Sequence, residues 1–401
     1  MRRREPNDEM KCALIPAGNE DTASSRIRVY TLQRALTALG HAANLEYSAD
    51  SDVLFIQKLV TWETYEFARQ AKARGCTVLY DVDDLGETLW YYVPQRYYFE
   101  MIRLADAFTT DTERHKDLLL QKYGAKSVEI VPDTIDYYPS GPVRVTMREE
   151  NVLRILWFGS SSNIALFERY ASVLAAIPGV EVVVATNAFA LAEYARKYPR
   201  VNFVPWSRSS FLSTLQSCDL SCLMHDGSAV DLAKSNNKMI SSITWGVPAV
   251  VSRTPEYERT AREAGIETAL FSNELELRSA VEHLRSPKAR LAYLDRAQPE
   301  IWSRYGPGVV AKKFIETAVK YRVASAKGVS GQRSAKSLAE AALRQTYSGT
   351  KGCLLARKLR NRLEFEFWRF RLREVRIAWI NSLFRRLVTR AKRFAKVLVR
   401  G

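Results

Sequence analysis

The 401-residue sequence contains no uninterrupted apolar run of about 18 residues, the length that a membrane-crossing helix needs. Its first apolar stretch, Cys12–Ile15, is too short for a secretory signal, so a cytoplasmic core is expected. Cysteine is scarce too. Cys12, Cys76, Cys218, Cys222 and Cys353 are scattered and odd in number, and no second pair joins Cys218 and Cys222 to complete a metal site. Buried thiols in a reducing compartment are expected, not a disulfide framework. There are only 4 histidines. His41 follows a helix stop and His115 stands alone on a helix, so both read as packing. The glycine fingerprint of dinucleotide-binding proteins is also missing, which argues against a nicotinamide cofactor.

Acidic residues are lacking in one region only. From Lys351 onward the chain carries 16 Lys and Arg against 3 Asp and Glu. The net charge of +16 therefore belongs mostly to this tail, and the rest is nearly neutral and need not meet a polyanion. In residues 351–401, apolar residues such as Leu359, Leu363, Phe367, Trp368 and Phe370 alternate with arginines at helical spacing. The tail reads as a basic amphipathic element for an anionic membrane surface. Docking on a partner protein is the alternative, and nucleic acid is disfavoured by the neutral remainder.

What is present is a repeated strand–loop–helix grammar. Lys11–Ile15 is a strand emptying into a small-residue loop with Gly18, and a helix follows over Arg26–Leu39. Arg26 and Arg28 at its start either face a phosphate or are solvated. Strands at Asp52–Gln57 and Thr77–Tyr80 follow. The second delivers Asp81, Asp83 and Asp84 to a strand's carboxyl end, where doubly wound sheets bind ligands. Three carboxylates there suit cation binding, orientation of hydroxyls or proton abstraction, or else a structural turn in which Asp84 caps a helix. The segment Leu89–Phe99 is rich in aromatics, either a stacking surface or packing between domains.

Pro139, Gly141 and Pro142 mark a boundary near residues 140–150. Beyond it Leu153–Phe158 is a strand, and Gly159, Ser160, Ser161 and Ser162 form a loop of small donors before a helix. Asp219–Met224 delivers His225 and Asp226 to the same sheet end. There the stretch Lys234–Ser252 supplies a polar loop, a helix over Lys238–Thr244 capped by Asn236 or Asn237, a Gly246–Pro248 turn and a buried strand. Lys234 and Lys238 put two cations beside a helix start, a seat suited to a diphosphate.

Four stretches together resemble the GT-B glycosyltransferases, within them the family 4-like group of the bacterial surface-polysaccharide type. They are the opening loop and helix 15–41, the VPDTID segment, LRILWFGSSSN, and KSNNKMISSITWGVPAVVS. The resemblance covers roughly residues 11–322. It implies an α/β fold of two doubly wound Rossmann-like domains facing a central cleft, over 1–145 and 146–300. A segment over 301–325 crosses back, and a linker at 326–350 leads to the helical tail at 351–401. It also implies a nucleotide-diphosphate sugar held by Gly159, Ser160, Ser161, His225, Asp226, Lys234, Asn237, Lys238 and Ser241. Gly18, Arg26 and Arg28 would lie on the phosphate or acceptor side, with Asp83 and Asp84 as candidate bases. No cofactor and no metal are implied. The acceptor would be a glycan or lipid-linked glycan, and the enzyme would work at the inner face of the cell membrane. The family's helix carries a glutamate where this chain has Ser241, which brings no charge to a donor ribose. A dTDP donor, such as dTDP-rhamnose, lacks the 2′-hydroxyl and so needs one fewer acceptor. The alternatives are a non-catalytic adaptor or membrane-docked scaffold that kept the fold, and another enzyme of this architecture, such as an epimerase or a phosphorylase.

Overall fold

The computed structural model describes residues 9–84, 95–145 and 152–328. The expectations for Trp90, Tyr91 and Tyr92, for Cys353, for most of the linker and for the basic tail lie outside the described residues.

The first half holds six parallel strands: β1 (Lys11–Ile15), β2 (Ala42–Asn44), β3 (Val53–Gln57), β4 (Thr77–Asp81), β5 (Ala107–Thr110) and β6 (Val128–Ile130). Their spatial order is β2-β1-β3-β4-β5-β6. The second half holds β7 (Leu153–Phe158), β8 (Val180–Thr186), β9 (Val201–Pro205), β10 (Leu220–Leu223), β11 (Ala249–Ser252) and β12 (Leu270–Phe271), ordered β12-β11-β10-β7-β8-β9. Every pair is parallel. Helices cover both faces, so the central strands are buried without a polar side: Val53–Gln57, Leu220–Leu223 and Ala249–Ser252 are buried throughout. Both halves fall in one compact unit.

The chain order reverses at β1/β3 in the first sheet and at β7/β10 in the second. Loops leave the sheet in opposite directions there, opening a crevice at the strands' carboxyl ends. The loop after β7 begins with Gly159, and the loop after β10 carries His225 to Lys234. The topology thus sets the two loops side by side.

The helix Pro287–Tyr305 continues through Pro299, and its Leu294, Ala297, Ile301 and Tyr305 belong to the second half's core. The crossing-back segment therefore starts at Pro307, not at Ile301. The helix Pro307–Gly328 sets Val310, Ala311, Phe314 and Ala318 into the core of the first half, with Phe314 edge-on to Phe55 at 5.4 Å. Val310 and Phe314, fully buried, each contribute on the order of 1.5–3 kcal/mol, and the two alanines less. Cys12, Cys76, Cys218 and Cys222 are buried free thiols. No described helix is long and apolar enough to cross a membrane.

Candidate active site

The helix Asn237–Thr244 faces the crevice of the second half. The expected asparagine caps are absent. Asn236 occupies the cap position, but its Nδ2 donates to Thr260 Oγ1 at 2.7 Å, and Asn237 Nδ2 donates to the carbonyl of Thr134 at 2.8 Å. Of the first-turn N–H groups, Asn237 N makes only a long contact to Ser235 Oγ at 3.5 Å, so the helix start keeps its positive partial charge. At the far end Gly246 takes φ +85°, and a Cβ there would lie 2.6 Å from Val145 Cγ2. Only glycine fits that turn.

Lys238 projects from the first turn toward the loop after β7. Its ammonium lies 5.9 Å from the Trp157 ring centre and 5.8 Å from that of Phe158. Among the described residues it has no ion-pair or hydrogen-bond partner. Burial pushes its pKa down to about 8, helped by the neighbouring charge of Lys234. Gly159 makes room for it, since a Cβ on that residue would lie 3.2 Å from Lys238 Nζ and 3.1 Å from Trp157 Cη2. Asn187 Oδ1 holds the loop by accepting from Ser161 N at 3.0 Å. Among the described residues the arrangement is a cation without an ion-pair partner, beside a helix start whose first-turn N–H groups supply donors.

The opposing wall is a set of saturated ion pairs. The helix after β1 contains a π turn over Arg26–Tyr30, in which Arg26, Ile27, Arg28 and Val29 are all buried. Arg26 grips Asp136 through two bonds of 2.8 Å and lies 4.9 Å from the centre of the Tyr137 ring. Arg28 grips Asp81 through two bonds of 2.6 Å and Asp133 through one of 2.8 Å. The two arginines are therefore neither solvated nor open to a phosphate: each is already spent on carboxylates. Gly18 N is likewise spent, donating to Ser25 Oγ at 2.9 Å. Burial, with the nearby Asp111 charge, raises Asp133 to about 6 against the pull of Arg28.

Lys58 follows β3 with φ +32°, a conformation a non-glycine residue adopts at a cost of about 1–3 kcal/mol. Its ammonium sits 3.1 Å from Asp83 and 2.7 Å from Asp84. Asp84 in turn reaches across the crevice to Lys234 at 3.3 Å. Burial opposes the charge of both aspartates, with different outcomes. It dominates at Asp83, whose pKa rises, whereas Lys58 and Lys234 together hold Asp84 well below the usual carboxylate range.

The loop before the helix Asn237–Thr244 is stitched to the first half. Thr112 Oγ1 donates to the Ala233 carbonyl, Ser235 Oγ to Asp133 Oδ2 at 2.7 Å, and Asn237 to the Thr134 carbonyl. Ser241 Oγ accepts from Asp136 N at 3.1 Å, so its hydroxyl serves the junction between the halves. His225 Nδ1 lies 3.3 Å from Asp231, and Asp226 accepts from Ser228 N. The structure thus brings Gly159, Ser161, Lys238, Lys234, Asp83 and Asp84 to one crevice and commits Arg26, Arg28, Gly18, Asn237 and Ser241 to structural bonds. Sequence reading missed Lys58, Asp133 and Ser235. Lys58 and Asp133 each stand just past a strand's carboxyl end, the one signal that could have found them.

No family model matches the chain, and neither does any curated protein. Solved structures do. HepE from Anabaena, solved with UDP and glucose, aligns at 12% identity with a TM-score of 0.55, over 77% of this chain and 99% of that one. The O-GlcNAc transferase of Thermobaculum terrenum aligns at 12% identity and 0.50, over 81% and 70%. TarM aligns at 10% identity and 0.51, over 68% of this chain, which spans only 55% of TarM's length. These neighbours are GT-B glycosyltransferases. Two parallel six-stranded sheets, their switch points and the returning last helix give this chain the GT-B fold.

Proposed function

We propose that the chain is a glycosyltransferase that moves a sugar from a nucleoside-diphosphate donor to a glycan or lipid-linked glycan acceptor in surface-polysaccharide synthesis. The observation that carries the reading is Lys238, a cation without a counter-ion between the Gly159 loop and a helix start, in a fold whose solved neighbours include one with UDP and glucose bound. Transfer breaks the sugar–phosphate bond and forms a bond from the acceptor oxygen to the same carbon. The electron pair leaves with the diphosphate, and the acceptor's proton passes to a base. Charge builds on the diphosphate, where Lys238, Lys234 and the first-turn N–H groups of the helix Asn237–Thr244 stabilise it.

Of the two candidate bases, Asp83 is the better suited, because burial raises its proton affinity whereas two lysines suppress that of Asp84. His225, with Asp231 behind it, and Asp226 are assigned to the sugar side. Ser241 spends one of its hydroxyl's two lone pairs on Asp136 N and brings no carboxylate to a ribose hydroxyl, which favours a 2′-deoxy donor of the dTDP type. The basic tail is assigned to an anionic membrane surface, and the enzyme to its cytoplasmic side.

The test is a panel of UDP-, GDP- and dTDP-sugars, measured for binding and for release of nucleoside diphosphate with wild type and Lys238→Ala. Binding and turnover that both fall at least tenfold in the variant support the reading. Binding without turnover in the wild type points to a non-catalytic adaptor. Phosphate-driven cleavage points to a phosphorylase. Unchanged kinetics in a folded variant remove the diphosphate role.

A further inference from the structure

Asp84 occupies a position that no catalytic role explains well. It is flanked by two ammonium groups, Lys58 of its own half at 2.7 Å and Lys234 of the opposite half at 3.3 Å. A carboxylate clamped between two cations is a weak base, but it resembles an anionic oxygen of a phosphate between the same two cations. We infer that Asp84 is an internal anion that occupies Lys234 in the resting protein and is displaced by the diphosphate of the donor. The inference rests on the proposed function, in which Lys234 and Lys238 receive that diphosphate.

Three features make the exchange physically sound. Lys234 remains 40% exposed, so an incoming anion can reach it. Among the described residues Asp84 is its one carboxylate partner, and Lys238 beside it has none. One ion-paired carboxylate therefore faces two cations, on which Asp83 and Asp231 act without pairing, and a diphosphate, with at least twice the charge, satisfies both together. Finally, Asp84 is not stranded on release, because Lys58 stays with it and Asp83 also pairs with Lys58 at 3.1 Å. A buried charge without a partner would forbid the exchange, and here none arises. The junction bonds from Ser235 and Asn237 to Asp133 and Thr134 do not involve Asp84, so they survive it. The resting contact thus acts as a competitive gate on donor binding.

The experiment uses the full chain and titrates UDP, GDP and dTDP calorimetrically into wild type, Asp84→Asn, Lys234→Ala, the double variant and Lys238→Ala, each checked by thermal melting. Removing the competing charge is expected to tighten the best nucleotide roughly two- to fivefold, the scale of one ion pair near a surface. The gain should vanish when Lys234 is absent. If Asp84→Asn does not fold, Asp84→Ser takes its place. Affinity that is unchanged or weaker in the Asp84 variant overturns the gate, as does a gain that persists without Lys234. Loss of sugar transfer at unchanged affinity would return Asp84 to the role of base and also overturn it. Lys238→Ala separates the two failures. If it weakens binding while Asp84→Asn does not tighten it, only the gate falls. If it changes nothing, or if no nucleotide binds any form, the diphosphate seat falls and the gate with it.

Discussion

A single methyl group tests whether the Gly159 loop and Lys238 act as one unit. In Gly159→Ala the new Cβ would stand 3.2 Å from the Lys238 ammonium and 3.1 Å from the Trp157 indole. Trp157 is only 2% exposed and packs on Phe167, so the lysine tip is what yields. A shift of a few tenths of an ångström weakens its pull on a phosphate at about 4 Å by about 0.2–0.4 kcal/mol at an effective dielectric near 20. Poorer alignment of the charge-assisted hydrogen bond adds a similar amount. The nucleotide Kd should therefore rise roughly two- to fourfold. Complete loss of the ammonium in Lys238→Ala, worth about 1.5–3 kcal/mol, should raise it about 10- to 150-fold. Calorimetric titration of the two variants side by side measures both. The glycine variant's backbone is unstrained, so its melting temperature should move little. Nucleotide affinity in Gly159→Ala equal to wild type, with Lys238→Ala still impaired, would refute the coupling of loop and lysine.

The depressed pKa of Lys238, about 8, makes donor binding sensitive to pH. Below pH 8 the ammonium is present before binding. Above it a proton must be taken up, so affinity should fall between pH 8 and 10, and Lys238→Arg should flatten that fall. Arg28→Ala leaves Asp81 and Asp133 buried without their cation. It should cost about 3–5 kcal/mol in chemical denaturation, far more than loss of an exposed pair such as Lys11 with Asp50. Removal of residues 351–401 should abolish co-sedimentation with anionic vesicles while leaving nucleotide affinity unchanged; persistent sedimentation would count against the tail as the anchor.

The strands were legible because they are short, β-branched and flanked by turn residues, as at Val180–Thr186 and Ala249–Ser252. β2 was not, because Ala42–Asn44 carries no β-branched residue and is recruited by pairing with β1. The helix Pro287–Tyr305 runs through Pro299, a residue that breaks helices locally, because burial of Ile301 and Tyr305 carries it onward. At the site, the order of strands, loops and helices already set Gly159 and Lys238 at neighbouring sheet ends, and the structure has them side by side. The fate of Arg26 and Arg28 was not, because their partners Asp81, Asp133 and Asp136 lie 53 to 110 residues away. The caps failed for the same reason: Asn236 and Asn237 have short-range options but take bonds to Thr260 and Thr134.

The helix Pro307–Gly328 carries a consequence for how the chain is made. Phe314, Val310 and Ala311 complete a core whose other members, among them Leu14, Leu32 and Phe55, emerge from the ribosome about 250–300 residues earlier. At translation speeds of roughly 5–20 residues per second, the first half waits on the order of 10–60 seconds for its last piece. The second half is synthesised whole in that interval. The amino-terminal half therefore finishes folding after the carboxy-terminal one, and a fragment ending near residue 145 should be found in the insoluble fraction unless the last helix is supplied in trans.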